Sequence, residues 1–245
     1  MENWEAETYG ERIAEAYEVL HRALFDVDVT VDVLAELAGK GPALELAVGT
    51  GRIAIPLSER GIEVHGIDIS PKMIENLRSK PGGGGIKVTM GDFADVLVEG
   101  KFSLVFIVFN TLFALTRQGD QVRCLRNVAQ HLTRDGVFVV EAFVPDLSRF
   151  DRGQRVEVND IEVDRVVMGV SRHYPTQQRI DAQHIVLDDT GIHMYPVRLR
   201  YAWPAELDLM AAEAGMELNA RWSGWSRDPF TEASERHISV YKLTS

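Results

Sequence analysis

The sequence predicts an α/β fold: a doubly wound, mostly parallel sheet with an antiparallel β insertion after strand five. Three observations carry this reading. From Pro42 to Phe143, short apolar runs alternate with amphipathic runs, and such alternation means a parallel sheet covered on both faces. The first strand-to-helix junction, Gly49-Thr50-Gly51, is a glycine turn. From about Arg155 to Trp203 the apolar pattern changes to period two with hairpin turns.

The 245 residues read as one domain in four stretches. Residues 1–41 form an N-terminal helical cap. A helix from Glu11 to Leu24 places Ile13, Tyr17, Leu20 and Leu24 at helical spacing, and a shorter one runs from about Val31 to Ala38, stopped by Gly39-Lys40-Gly41-Pro42. Residues 42–145 are the core. Strand one is Ala43–Val48, followed by helix Ile53–Arg60 and strand two, Glu63–Ile67. Helix Pro71–Arg78 has Ser70 as N-cap and proline at its first position. Pro81-Gly82-Gly83-Gly84-Gly85 lacks a following Lys-Ser/Thr and reads as a turn, not a phosphate loop. Strand three is Ile86–Thr89 and strand four Ser103–Phe109. A helix from about Asp120 to Leu132 stripes Val122, Leu125, Val128 and Leu132, before strand five, Val137–Phe143.

Residues 154–203 are the antiparallel insertion. Arg155–Val158 and Ile161–Asp164 flank an expected turn at Asn159-Asp160, and Arg179–Leu187 and Ile192–Tyr201 flank Asp188-Asp189-Thr190-Gly191. Residues 204–245 supply helix Pro204–Ala214, a Gly215 stop, strand Glu217–Trp222 and strand His237–Leu243.

Composition excludes several classes. A net charge of −11 repels phosphate backbones, which argues against nucleic acid. The lone cysteine, Cys124, rules out an internal disulfide or a cysteine metal site; no metal is expected, and a buried inert thiol is the reading for Cys124. The acidic start Met1-Glu2-Asn3-Trp4-Glu5 has no signal-peptide core, and no apolar run approaches the ~20 residues of a membrane span. A soluble cytoplasmic protein is expected.

The chemistry concentrates at strand ends. Gly49 and Gly51 permit positive φ and close approach of a ligand to the backbone, and the helix amides beyond attract electron-rich groups. Asp68 ends strand two, where a carboxylate can accept both hydroxyls of a ribose. Asp92-Phe93 follows strand three, an acid and an aromatic suited to an adenine amino group and ring. These features point to a nucleoside-bearing cofactor. Gly49-Thr50-Gly51-Arg52-Ile53-Ala54 also fits the dinucleotide fingerprint, but Glu45 lies inside a strand that is wholly apolar in most dinucleotide sites, and there is no Tyr-x-x-x-Lys pair.

The set Glu45-x-Ala47-x-Gly49-Thr50-Gly51, Gly66-Ile67-Asp68 and Gly91-Asp92-Phe93 resembles the class I S-adenosylmethionine-dependent methyltransferases, well over Pro42 to Asp146 and loosely to the C-terminus. Alanine stands at Ala47 where the family usually has glycine. The resemblance implies a seven-stranded Rossmann-like sheet ending in an antiparallel strand pair, with S-adenosyl-L-methionine as cofactor. It implies that Glu45, Gly49 and Gly51 serve the amino-acid portion, with the Ala47 carbonyl accepting its ammonium. Asp68 would take the ribose, Ile69 and Met73 lie beside the adenosyl group, Asp92 and Phe93 take the adenine edge, and Phe109 and Asn110 face the methionyl group and acceptor. Tyr9, Arg12 and Tyr17 on the N-terminal helix would close over the cofactor.

The acceptor side is less specified. Pairing of Leu187 with Ile192 places His184 opposite Tyr195 and Val186 opposite His193, all on one face. His184 and Tyr195 are the candidate catalytic pair, roofing the acceptor pocket; a solvent-facing sheet surface is the competing reading. Ile185, Leu187, Ile192 and Met194, on the other face, read as packing. Trp222, Trp225 and Phe230 border the loop between the last two strands, which often helps bind substrate in the family. The acceptor expected is a small metabolite, methylated on N or O, such as a natural-product heterocycle or amino sugar. The exposed meander offers a homodimer surface. An NAD(P)-dependent oxidoreductase and a non-catalytic cofactor-binding scaffold stay open as alternatives.

Overall fold

Each apolar run of the core becomes a strand of one sheet. The computed structural model describes residues 8–14, 26–95 and 98–244. In chain order the strands are β1 (Ala43–Leu46), β2 (Val64–Asp68), β3 (Lys87–Met90), β4 (Phe102–Ile107), β5 (Leu132–Phe143), β6 (Gln154–Ile161), β7 (Val166–Tyr174), β8 (Arg179–Asp188), β9 (Gly191–Arg200), β10 (Met216–Trp222) and β11 (Arg236–Leu243). The α-helices among the described residues are α1 (Thr8–Ile13), α2 (Val27–Ala38), α3 (Ala54–Glu59), α4 (Pro71–Ser79), α5 (Gln118–His131) and α6 (Pro204–Glu213).

Seven strands form the main sheet in the order β10-β11-β5-β4-β1-β2-β3. The pairs from β3 to β5 are parallel, and β11 runs antiparallel to both β5 and β10. Side chains alternate between the two faces. Val105, Ile107 and Phe138 join the α5 and α6 side with Leu125, Val128 and Met210. Leu104, Phe106 and Val139 join the α2 and α3 side with Leu34 and Leu57. Each fully buried side chain of this size contributes about 1.5–3 kcal/mol, so both faces must be covered. The order reverses between β1 and β4, and open α/β sheets bind ligands beyond the strand ends at such a point.

Strand ends differ from the expected ones for a backbone reason. β1 stops at Leu46 instead of Val48 because Ala47 takes φ +57°; β4 stops at Ile107 because Phe109 and Asn110 take φ +57° and +66°. Left-handed backbone cannot continue a strand. Ser70 caps α4 as expected, its hydroxyl accepting from the Met73 N–H at 3.3 Å.

The insertion forms a second, four-stranded antiparallel sheet, β6-β7-β8-β9. Its first turn is a correction. β6 runs through Asn159 and Asp160 to Ile161, and the chain reverses at 162–165, where the Glu162 N–H donates to the Arg165 carbonyl at 2.8 Å. A bulge between Val158 and Asp160 absorbs the expected turn. The second turn is tighter than expected, since Asp188 already pairs with Gly191; the Asp188 carboxylate accepts the Thr190 N–H at 2.9 Å.

The faces of this sheet are also a correction. His184 does pair with Tyr195, and Val186 with His193. The face expected to pack, however, is the outer one: Ile192 and Met194 are exposed, as are Val156, Val158 and Ile161. The inner face carries His184 and Tyr195 together with buried Val167 and Val186. The cause is α1, which lies against β9 and puts Ile13, Ala14, Met73, Tyr9 and Tyr195 in one cluster. α1 also seats on the loop after β2. A Cβ on Gly10 would stand 2.7 Å from Ser70 Cβ, and the Glu11 carboxylate accepts the Ser70 hydroxyl at 2.7 Å. The predicted continuation of this helix toward Leu24, Tyr17 included, lies outside the described residues.

Candidate active site

Three strand ends meet at Asp68. Its Oδ2 accepts the Gly49 N–H at 2.7 Å, tying the glycine turn after β1 to the end of β2. Its Oδ1 accepts the Ser70 N–H at 2.8 Å, and its backbone carbonyl accepts the Gly91 N–H at 3.0 Å, which brings in the end of β3. Asp68 is buried, and burial pushes its carboxyl above the usual range, with the Ser70 and Gly49 amides pulling the other way.

The turn itself runs through three left-handed residues. Gly49 and Gly51 have φ +54° and +75°, and Ala47 adopts +57° in spite of its Cβ, a conformation that costs an L-residue roughly 1–2 kcal/mol. A Cβ on Gly49 would meet nothing nearer than the Ala47 carbonyl at 4.0 Å, so the space above the turn is open to a ligand. Beneath it, Glu45 is 3% exposed. Burial raises its carboxyl well above the usual value, and its Oε2 has no hydrogen-bond partner among the described residues. An orphaned acceptor beside an open turn fits a ligand that brings a cationic donor.

The remaining expected residues divide into groups. Ile69 is half-buried and Met73 buried, both at the start of α4. Asp92 turns its carboxylate back to the Ala94 N–H at 2.9 Å, and Phe93 packs against the core beside it. Tyr9 joins the cluster with Met73, whereas Arg12 is exposed on α1. Cys124 is buried, and burial pushes its thiol up.

Phe109 and Asn110 make a left-handed pair after β4, held on both sides. The Phe109 N–H donates to Glu141 Oε2 at 3.1 Å, and Asn110 Oδ1 accepts the Phe143 N–H at 2.7 Å. The Arg52 guanidinium lies 5.5 Å from the Phe109 ring, joining this turn to the glycine turn. Beyond it opens a cavity of about 1540 Å³, walled by Phe109, Asn110, Glu141, Arg155, Trp203, residues 231–235 of the β10–β11 loop and Arg236 at the start of β11. The loop expected to help bind substrate lines this cavity through its later residues; Trp225 is buried, and neither it, Trp222 nor Phe230 lines the cavity.

His184 and Tyr195 do not line that cavity. They sit on the inner sheet face toward α1, with Glu157, Gly169, His184 and Tyr195 in one row across the four strands. A Cβ on Gly169 would lie 3.2 Å from Glu157 Oε1, so the Glu157 carboxylate reaches over the glycine. Burial lowers the His184 imidazole, and Glu157 opposes that shift. Glu141 went unnoticed in the sequence. Its signal was the one that marked Glu45: a single acid inside an otherwise apolar strand, Val137–Phe143.

Comparison with known proteins agrees with this geometry. Residues 43–136 match the methyltransferase domain family. The chain is 37% identical to the CcbJ methyltransferase of Streptomyces caelestis, covering 99% of this chain and 100% of that one with a TM-score of 0.90. It is 25% identical to the cypemycin N-terminal methyltransferase of a Streptomyces species, over 95% of this chain and 96% of that protein. The S-adenosylmethionine-bound CalS10, an amino pentose methyltransferase from Micromonospora echinaspora involved in calicheamicin biosynthesis, shares the fold at 22% identity and a TM-score of 0.70, covering 94% of this chain and 97% of that one.

Proposed function

Because this chain belongs to the class I S-adenosylmethionine-dependent methyltransferases, we propose that it methylates a nitrogen, or failing that an oxygen, of a small natural-product-type metabolite such as a heterocycle or amino sugar. Methyl transfer from S-adenosylmethionine is its activity; the acceptor is the part proposed. The observation that carries it is the cavity reaching the Phe109–Asn110 turn at the point where the strand order reverses. Two relatives, one named an N-terminal methyltransferase and the other an amino pentose methyltransferase, point to an amino group.

S-adenosylmethionine supplies a methyl group on a positively charged sulfur. The residues assigned to hold it are Glu45, Ala47, Gly49 and Gly51 at its amino-acid end, Asp68 at the ribose, and Ile69, Asp92 and Phe93 at the adenine, with Met73 beside the adenosyl group. Tyr9, with Arg12 and Tyr17, would cover it. Phe109 and Asn110 would orient the acceptor, and the inner face of the inserted sheet would exclude water. Holding the two reactants in line converts a bimolecular encounter into a positioned one, worth about 7–11 kcal/mol at best.

Titration calorimetry tests the reading: S-adenosylhomocysteine should bind and nicotinamide dinucleotides should not, and methyl transfer should follow with amines of an actinomycete extract. Binding of a nicotinamide dinucleotide instead would sink it. His184, with Tyr195 opposite, is kept as the competing candidate base, on the sheet face toward α1 and outside the cavity. His184→Ala should lower turnover by about 10²-fold with S-adenosylhomocysteine affinity unchanged, and full turnover would return His184 to a packing role.

No helix among the described residues is long and apolar enough to cross a membrane; a cytoplasmic location is part of the proposal. The outer face of the inserted sheet is assigned to a second copy of the chain. Two such faces stack about 10 Å apart, and the exposed apolar side chains Val156, Val158, Ile161, Ile192 and Met194 are where copies bearing −11 each repel least. Light scattering that returns the mass of one chain at micromolar concentration would refute the homodimer.

A further inference from the structure

Glu141 is the one charged residue in the apolar run Val137–Phe143, and it sits 3% exposed near the end of β5. A carboxylate so placed loses hydration worth several kcal/mol, so its partners matter. Oε2 accepts the Phe109 N–H at 3.1 Å, and the Glu141 backbone carbonyl accepts the Asn110 N–H at 3.2 Å. Oε1 meets the Arg236 guanidinium only at 3.9 Å, longer than a hydrogen bond, and that arginine side chain is half exposed. Glu141 therefore does two things: it grips the left-handed pair after β4, and it places a carboxyl group on the cavity wall. Phe109, Phe143 and Trp203 wall the same space, and aromatic faces favour a cation beside them.

We propose that Glu141 receives the acceptor, drawing a protonated aliphatic amine to the cavity wall and taking the proton its nitrogen must lose. The inference rests on the methyl-transfer reading and adds the group that selects and deprotonates the acceptor. The nitrogen lone pair, freed when its proton passes to Glu141, forms the new bond to the methyl carbon. The carbon–sulfur bond breaks with its electron pair left on sulfur, so S-adenosylhomocysteine departs neutral and the acceptor gains one methyl group. A site of low polarity helps the proton move, because it penalises the carboxylate and the ammonium alike and draws their affinities for the proton together. Burial already raises the Glu141 carboxyl, against the opposing pull of the Phe109 amide, Trp225 and Arg236.

The test uses the full chain loaded with S-adenosylhomocysteine and two probes of like shape, cyclohexylammonium and cyclohexanol, followed by titration calorimetry. The wild type should bind the ammonium about ten-fold tighter than the alcohol, or more. Glu141→Gln keeps an oxygen for the Phe109 N–H but loses the charge; it should hold S-adenosylhomocysteine as before and lose the preference for the ammonium. Arg236→Leu leaves the turn untouched and removes the guanidinium beside Glu141, with Arg149 and Arg155 still on the wall, so it should tighten the ammonium by about three-fold. A wild type with no preference for the ammonium, or an E141Q protein that binds it equally well, overturns the proposal. Should E141Q not fold, unchanged ammonium affinity in R236L overturns it. A wild type that fails to bind S-adenosylhomocysteine overturns the methyl-transfer reading itself, and this inference with it.

Discussion

Asp68→Ala is expected to weaken S-adenosylhomocysteine binding by about ten-fold or more, the largest single loss at the donor site. Two effects add. Charge-assisted hydrogen bonds of a ribose to this carboxylate are worth about 1.5–3 kcal/mol, which is the ten-fold. The same carboxylate also accepts the Gly49 and Ser70 amides at 2.7 and 2.8 Å, so its removal slackens the glycine turn and the start of α4 together. Asp68→Asn keeps one oxygen and should fall between the two. Calorimetry reads the affinity, and circular dichroism at the same temperature separates lost binding from lost fold. Affinity within two-fold of wild type in D68A would contradict the ribose assignment.

The second large effect is on stability at low pH. His237 is fully buried at the start of β11, its Nδ1 2.8 Å from the Ser239 hydroxyl. The same hydroxyl accepts the Arg221 Nε–H at 2.8 Å. Burial and the Arg221 charge push the His237 imidazole down to about 4, with Asp208 opposing them. The unfolded chain takes up this proton near pH 6.5, well before the folded one does. Stability from this group is therefore complete above about pH 6.5 and is lost as pH falls toward 4. The full loss is on the order of 3 kcal/mol. Glu45, Asp68 and Glu141 are shifted upward and contribute with the opposite slope, so the contrast must be made against a variant that retains them. Urea unfolding of wild type and His237→Phe, near pH 7.5 and near pH 4.5, isolates it: the variant should lose markedly less on acidification. Parallel losses in the two proteins would show that His237 does not carry the acid sensitivity.

The parallel core was legible because its strands, buried on both faces, read as continuous apolar runs, and because the glycine turn and Ser70 cap mark helix starts. Helix and strand ends there shifted by one or two residues, except that β5 begins at Leu132 and not at Val137. In the inserted sheet the register of β8 on β9 was legible, but that of β6 on β7 and the orientation of the sheet were not. Alternation shows that His184 and Tyr195 share a face, yet either face of an antiparallel sheet can be the inner one. The choice falls to α1, some 180 residues away in sequence from Tyr195, and no local pattern encodes that meeting. Asn159-Asp160 misled because a bulge and a turn favour the same residue types. Glu141 was legible in principle, since an acid within an apolar strand implies a reason, but only the cavity beside it shows which.

Gly10 contributes no side chain, yet it governs how tightly the N-terminal helix lies on Ser70. Its hydrogen is the spacer between the helix and the loop that follows Asp68, so even a methyl group there would push the two apart. Tailoring this enzyme to bulkier acceptors should therefore leave that residue alone and widen the cavity at its own wall, at Arg155 or Arg236.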